Sequence, residues 1–353
     1  MFHAFAHACE SEKGHQLYYH TACQKAVEYL KIPHHAYIPK DHSLPQLPEN
    51  WVLHFPKPYD KRLKKDYFKA CNSLFQKRGA FFIETLMRRD MRYFSLAALR
   101  HGKKSDRLCM LFRDNNIFKK KRDEIEVKIF LTLLRAKFRR NLCLFTDTDN
   151  LTYFFREKTG LPFHTLPIPN FDLKPVEHHN EKLVIVFPGE PRAEKGGHVV
   201  RRLLNESHGC HFICSQSLEQ AQEHFPNALS REKYLEYIQR ADVVLLPYDA
   251  PKYRYRSSGI FVEAIGLGKV TLVPDECWMS DELRKHNLVE FITDFERPDF
   301  FRHLKNLCEN SRIREKLKKM QQHYLEYHTP KTYARILDEV ASLNALCEHT
   351  TTC

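Results

Sequence analysis

Residues 243–274 read VVLLPYDAPKYRYRSSGIFVEAIGLGKVTLVP, and this stretch decides the fold. An apolar run ends at Pro247, and a polar loop follows that carries Lys252, Arg254 and Arg256. Ser257-Ser258-Gly259 then opens an amphipathic helical pattern that closes at the Gly-Leu-Gly of 266–268, and a second apolar run starts at Val270. Strand, helix and strand in that order make a βαβ unit, whose strands are parallel. Ser257 or Ser258 suits the N-cap, and the amides behind it, at Gly259 and Ile260, lack intrahelical acceptors and can receive an anion. Glu263 follows one turn later as a lone carboxylate on an apolar helix, so it needs a partner, for which a ribose diol is suitable.

Upstream, VFPGEPRAEKGG (186–197) repeats the logic: a strand, a turn and a helix start. Gly189, Gly196 and Gly197 let backbone approach a ligand, and Arg192 and Lys195 are three residues apart and can project to the same side. Two cations at a helix start make an anion site, although a solvated charged turn explains this stretch equally well by itself.

The surrounding chain continues the alternation. In the second half, strands are expected over 183–189, 210–215, 242–248 and 270–274. Helices are expected up to about 205 and over 230–240, 258–267, 280–286, 298–326 and 331–347. In the first half, strands are expected at 3–9, 35–39, 51–55, 80–84, 107–112, 142–146 and 163–168, with helices at 15–30, 61–77, 87–101, 120–137 and 150–158. Between the halves, LPIPNFDLKP (166–175) holds three prolines and reads as a linker. A chain of 353 residues fits two domains of this kind. The expected layout is a first doubly wound domain over 1–170, a second over 171–330, and a helix and tail over 331–353 that can return to the first. Ligands in such sheets bind beyond the carboxyl ends of the strands.

The net charge of +12 is concentrated in the first half: residues 1–170 hold 31 Lys and Arg against 17 Asp and Glu, and residues 171–353 hold 25 against 27. Residues 61–140 alone carry 24 basic and 8 acidic side chains. A solvated face, an anionic membrane surface and nucleic acid all fit such a field, and the absence of an RNA- or DNA-binding motif argues against the last. Eleven scattered cysteines suit reduced thiols in a cytoplasmic protein. No leader and no spanning segment is legible, so a soluble protein, at most peripheral on the cytoplasmic face of a membrane, is expected. The group His208, Cys210, His211 and Cys214 has ligand-like spacing but no second pair, so no metal is expected there.

In combination, G-x-x-R-x-x-K-G at 189–196 and the Ser-Gly–x-x-x-Glu-Ala–x-x-x-Gly-Lys pattern within 258–269 resemble the retaining GT-B glycosyltransferases of family 4, over the whole second domain. Gly14-His15 resembles that family's N-terminal glycine loop, and PIPN (167–170) its interdomain junction. The resemblance implies two Rossmann-like domains whose parallel sheets face each other across a cleft. It implies a nucleotide-diphosphate sugar bound by the second domain, a glycan or glycolipid acceptor on the first, retention at the anomeric carbon, and no metal or other cofactor. Arg192 and Lys195 would grip the diphosphate, the amides of Ser258, Gly259 and Ile260 would assist, and Glu263 would hold the ribose. Gly189, Tyr248, Tyr255, Arg256 and Ser257 would complete the donor site, and Gly14 and His15 an acceptor or phosphate loop. The family's first glutamate of the acidic motif falls on Tyr255, which opens the alternative of a nucleotide-sugar-binding protein without turnover. In the first domain Glu84, Arg113-Asp114 and Thr146-Asp147 end strands. Of these, Arg113 and Asp114 are the candidates for sugar contact or for accepting the acceptor's proton, and each residue is equally at home as a turn or cap.

Overall fold

The computed structural model describes residues 1–353 except 11–15, 45, 58–59, 87, 177, 179, 207–208, 227–228 and 345–353. The chain forms two compact units, Met1–Phe171 with Thr329–Cys353, and Asp172–His328.

Unit 1 contains β1 (Phe2–Phe5), α1 (Gln16–Tyr29), β2 (His34–Pro39), β3 (Trp51–Phe55), α2 (Lys64–Phe75), β4 (Ala80–Ile83), α3 (Arg88–His101), β5 (Arg107–Phe112), α4 (Lys121–Phe138), β6 (Leu142–Thr146), α5 (Asp149–Thr159) and β7 (Phe163–Thr165). The strands form one parallel sheet in the order β3-β2-β1-β4-β5-β6-β7. Residues of β1 and β4 are buried throughout, as expected for central strands covered by helices on both faces. Phe5, Phe55, Phe75, Phe81 and Phe94 meet edge-on or tilted, with centroids 4.8–6.2 Å apart, on one side of the sheet.

Unit 2 contains β8 (Val184–Val186), α6 (Gly197–Glu206), β9 (His211–Cys214), β10 (Glu223–His224), α7 (Arg231–Arg240), β11 (Val243–Leu245), α8 (Ala250–Tyr253), α9 (Gly259–Gly266), β12 (Val270–Leu272), α10 (Trp278–Lys285), α11 (Phe300–Glu309) and α12 (Ser311–Tyr327). Its parallel sheet has the order β10-β9-β8-β11-β12. Both units are therefore doubly wound α/β sheets. The strand order reverses between β1 and β4 in unit 1 and between β8 and β11 in unit 2, where diverging loops leave a crevice.

Three local expectations change. The two-residue β10 and the four-residue α8 carry too little periodicity to be read from sequence. The helix expected over 298–326 is two helices, because Asn310 leaves helical geometry and its side chain accepts from the Ile313 amide, starting α12 afresh. The helix α9 is not amphipathic: Phe261 to Gly266 are all buried, since α9 is covered by α12 as well as by the sheet.

The last helix, α13 (Pro330–Ala341), lies in unit 1, where Tyr333, Ala334 and Leu337 join a core with residues of β1, β4 and α1. Arg107 of β5 donates from Nε to the Ala341 carbonyl at 2.8 Å and from Nη1 to Asn141 Oδ1 at 2.6 Å, holding its carboxyl end. Leu337 is completely buried, so Leu337→Ala should cost about 2–5 kcal/mol and lower the denaturant midpoint of unit 1, read by urea unfolding followed at both far-UV and aromatic wavelengths.

Candidate active site

In unit 2, two loops leave the carboxyl ends of β8 and β11 on either side of the switch point. After β8, residues Ala193–Lys195 form one 3-10 turn, Gly196 turns left-handed at φ 72°, and α6 begins at Gly197. A Cβ on Gly196 would lie 2.0 Å from the Pro247 carbonyl oxygen, and one on Gly197 would lie 2.4 Å from the Pro191 carbonyl. Gly196 is required because the two loops touch there through their backbones, and Gly197 because its own loop folds back on it at Pro191. The contact is tied further by the Asp249 amide, which donates to the Glu194 carbonyl at 3.0 Å.

This contact collects cations. Lys195 is half-buried, with its Nζ 5.6 Å from the Tyr248 ring centre and its aliphatic stem against Gly189. Tyr248 and Tyr253 pack with centroids 4.4 Å apart, and the Arg256 guanidinium lies over Tyr253 at 5.4 Å. The pKa of Lys195 lies below the ordinary lysine value: burial removes its water, and Arg192 and Arg256 repel its charge against weaker help from Glu194 and Glu190. Arg192 is exposed and close enough for its charge to act on Lys195.

The third component is α9. Ser258 is its N-cap, its Oγ accepting from the Phe261 amide at 3.2 Å, and its hydroxyl is hydrogen-bonded with the Tyr248 phenol. Nothing lies within 4 Å of the Cβ position of Gly259, so backbone at the helix start has open space in front of it. Ser257, Gly259, Ile260 and Tyr255 are all partly exposed beside it.

Glu263 is 6% exposed and already engaged: Arg231 Nη1 donates to Oε1 at 2.6 Å and the Tyr234 phenol to Oε2 at 2.8 Å. Arg231 also grips Asp172 with two hydrogen bonds of 3.0 and 3.1 Å. Burial pushes the Glu263 carboxyl upward in pKa while Arg231 and Tyr234 hold it back. Each oxygen retains acceptor capacity. The local pattern gave no sign of Arg231, Tyr234 or Asp172, because the first two share α7 and the third precedes β8, and only the fold brings both segments to α9. A cavity of about 660 Å³ shares Gly196, Pro247 and Tyr248 with this site and extends to Asp275, Asp294 and Glu296, acceptors suited to hydroxyl groups.

In unit 1, Arg113 is paired with Asp147 at 2.9 Å and stacks on Tyr19 at 4.1 Å. Burial works against its charge, but Tyr19 and Asp147 outweigh that and raise its pKa. Asp114 turns the other way and accepts from the Asn116 amide and side chain at 2.9 and 2.6 Å, the geometry of a turn cap. Glu84, fully buried, is hydrogen-bonded to His20 and accepts from Gln24 at 2.7 Å. Gly14 and His15 lie outside the described residues, as does His208. Of the remaining residues of that group, His211 pairs with Glu223 at 3.1 Å and Cys214 is buried in β9.

Two doubly wound parallel units in one chain are the components of the GT-B architecture. No protein-family model matches the chain, and no curated protein sequence matches it. Among solved structures, the sucrose-phosphate synthase of Thermosynechococcus elongatus superposes with a TM-score of 0.71 at 10% identity, covering 98% of this chain and 99% of that one. HepE of Anabaena in complex with UDP-glucose gives 0.67 at 11% identity over 97% and 99%. An alpha-glucosyltransferase in complex with UDP and a 13-mer DNA gives 0.59 at 10% over 96% and 99%. The chain has the GT-B fold of nucleotide-sugar glycosyltransferases.

Two outcomes test this geometry. Gly196→Ala should destabilise unit 2 by about 1–3 kcal/mol, whereas Gly160→Ala, at φ 67° with open space around it, should cost only the smaller backbone strain; chemical denaturation of both variants makes the comparison. A bound diphosphate would return the Lys195 pKa upward, so binding takes up a proton once pH exceeds the lowered value. UDP affinity should therefore fall as pH rises through that value, and the fall should vanish in Lys195→Arg, measured by calorimetry in two buffers of different ionisation enthalpy.

Proposed function

We propose that the chain is a retaining glycosyltransferase that moves a sugar from a nucleotide-diphosphate sugar to the hydroxyl of a glycan, glycolipid or similar acceptor. The observation that carries this reading is the meeting of Arg192, Lys195, Arg256 and the open start of α9 at the switch point of unit 2. In the reaction the bond from the anomeric carbon to the β-phosphate oxygen breaks, its electron pair leaving with the nucleoside diphosphate. The acceptor oxygen forms the new bond, and its proton passes to the departing phosphate oxygen. Charge accumulates on the diphosphate, where preorganised cations and amides stabilise it with no metal required of the protein. The ribose is assigned to Glu263, held ready by Arg231 and Tyr234, and the sugar hydroxyls to the acidic side of the adjoining cavity. Acceptor binding is assigned to unit 1.

The test is release of nucleoside diphosphate from UDP-, GDP- and ADP-sugars. Arg192→Ala and Lys195→Ala should each lower kcat/KM by about 10²–10³-fold, the scale of losing one preorganised charge-stabilising donor, with unchanged melting temperature. A second reading is favoured by Tyr255, which stands where the resembling family places a glutamate: a protein that binds the nucleotide sugar without turnover. Saturable calorimetric binding with no diphosphate release across a panel of glycan, lipid-linked and DNA acceptors would select it. Absence of a thermal shift with every nucleotide would refute both readings, since ligand at 100 times its Kd adds about 2.7 kcal/mol.

A further inference from the structure

The helix α4 presents a stripe of large aliphatic side chains to solvent. Its core face carries Asp123, Val127, Leu131, Leu134 and Phe138, and Glu126 faces α3, where it pairs with Arg92 at 2.6 Å. On the opposite side Ile125, Ile129 and Leu133, spaced by four, are 52, 53 and 47% exposed. Exposed aliphatics scattered singly are ordinary, but three stacked on successive turns form one continuous ridge. Helix-forming pressure does not ask for them, because any polar residue would hold this face of the helix as well.

The surroundings of the ridge are cationic. Arg122 at its start lies at the same angle around the helix axis as Ile129 and Leu133, Arg140 follows in the short turn after its end, and both are exposed. Lys121, Lys128 and Arg135 flank it, and residues 119–122 read KKKR. This helix lies in the segment where basic side chains outnumber acidic ones by 24 to 8. No helix among the described residues is long and apolar enough to cross a membrane.

We propose that the outer face of α4 docks unit 1 on an anionic lipid bilayer, with Ile125, Ile129 and Leu133 inserted at the level of the acyl boundary and Arg122 and Arg140 against lipid phosphates. Aliphatic ridge and basic border are the two components of interfacial binding, each insufficient alone. Nucleic acid would use the cations and leave the ridge in water. A second copy of the chain would bury the ridge but bring Arg122 and Arg140 of both copies together. The bilayer satisfies both features, and the surface is independent of the donor site.

Sedimentation of the full chain with vesicles tests this, comparing mixed phosphatidylglycerol–phosphatidylcholine with phosphatidylcholine alone. The protein should bind the anionic vesicles at least about tenfold more tightly. The variants Ile125→Ser/Ile129→Ser/Leu133→Ser and Arg122→Glu/Arg140→Glu should each weaken that binding at least about tenfold while retaining nucleotide-dependent thermal shifts, because all five positions are exposed. Wild-type vesicle binding by the serine variant overturns the proposal. So does tighter binding to duplex DNA than to anionic vesicles, or a wild-type dimer that the serine variant converts to monomer. If the serine variant misfolds, the charge-reversed variant decides: unchanged binding to anionic vesicles overturns the proposal.

Discussion

The backbone of Gly196 lies against the carbonyl of Pro247, and the charged region of unit 2 is arranged around that contact. It requires a residue with no Cβ in the left-handed region, and it requires the apolar run of β11 to stop at a proline whose carbonyl is free of the sheet. With these met, the turn carrying Arg192 and Lys195 is fixed beside Tyr248, and Tyr248 in turn steadies Ser258 at the start of α9. The Arg192, Lys195 and Arg256 charges are then held near one another, and burial together with this repulsion lowers the Lys195 pKa.

A second network supports the same helix from behind. Asp172, Arg231, Glu263 and Tyr234 form a connected chain in which every charge has a partner. Removing Arg231 would take from the almost wholly buried Glu263 carboxylate its cationic partner, which is costly in a low-dielectric setting. Glu263 is thereby held in one orientation by Arg231 and Tyr234.

Unit 1 shows a different balance. Its strand ends bury their polar residues in pairs, Arg113 with Asp147 and Glu84 with His20, while its excess positive charge is spread over exposed helices. Pairing inside and repulsion outside are both consistent with stability, because exposed charges are screened by water and salt and buried ones are not.

The sequence by itself determined most of the strands, most of the helices and the glycine-bearing loops at 189–197 and 257–268. These follow from local chemistry: apolar period, proline stops, serine caps and glycine turns act within a few residues. It also carried the pairing of Arg192 with Lys195. The short β10 and α8 were not legible, having too few residues to show a period, and the break at Asn310 was hidden inside a continuous helical pattern. Tertiary structure alone decided that α9 is buried on all sides from Phe261 onward, that α13 packs in unit 1, that Asp114 caps a turn while Arg113 pairs with Asp147, and that Glu263 is met by Arg231 and Tyr234. It alone showed that the solvent side of α4 is aliphatic, since a helix face has no inside or outside until its neighbours are in place. Each of these depends on contacts between residues tens of positions apart, and the pattern of a single segment does not encode its partner.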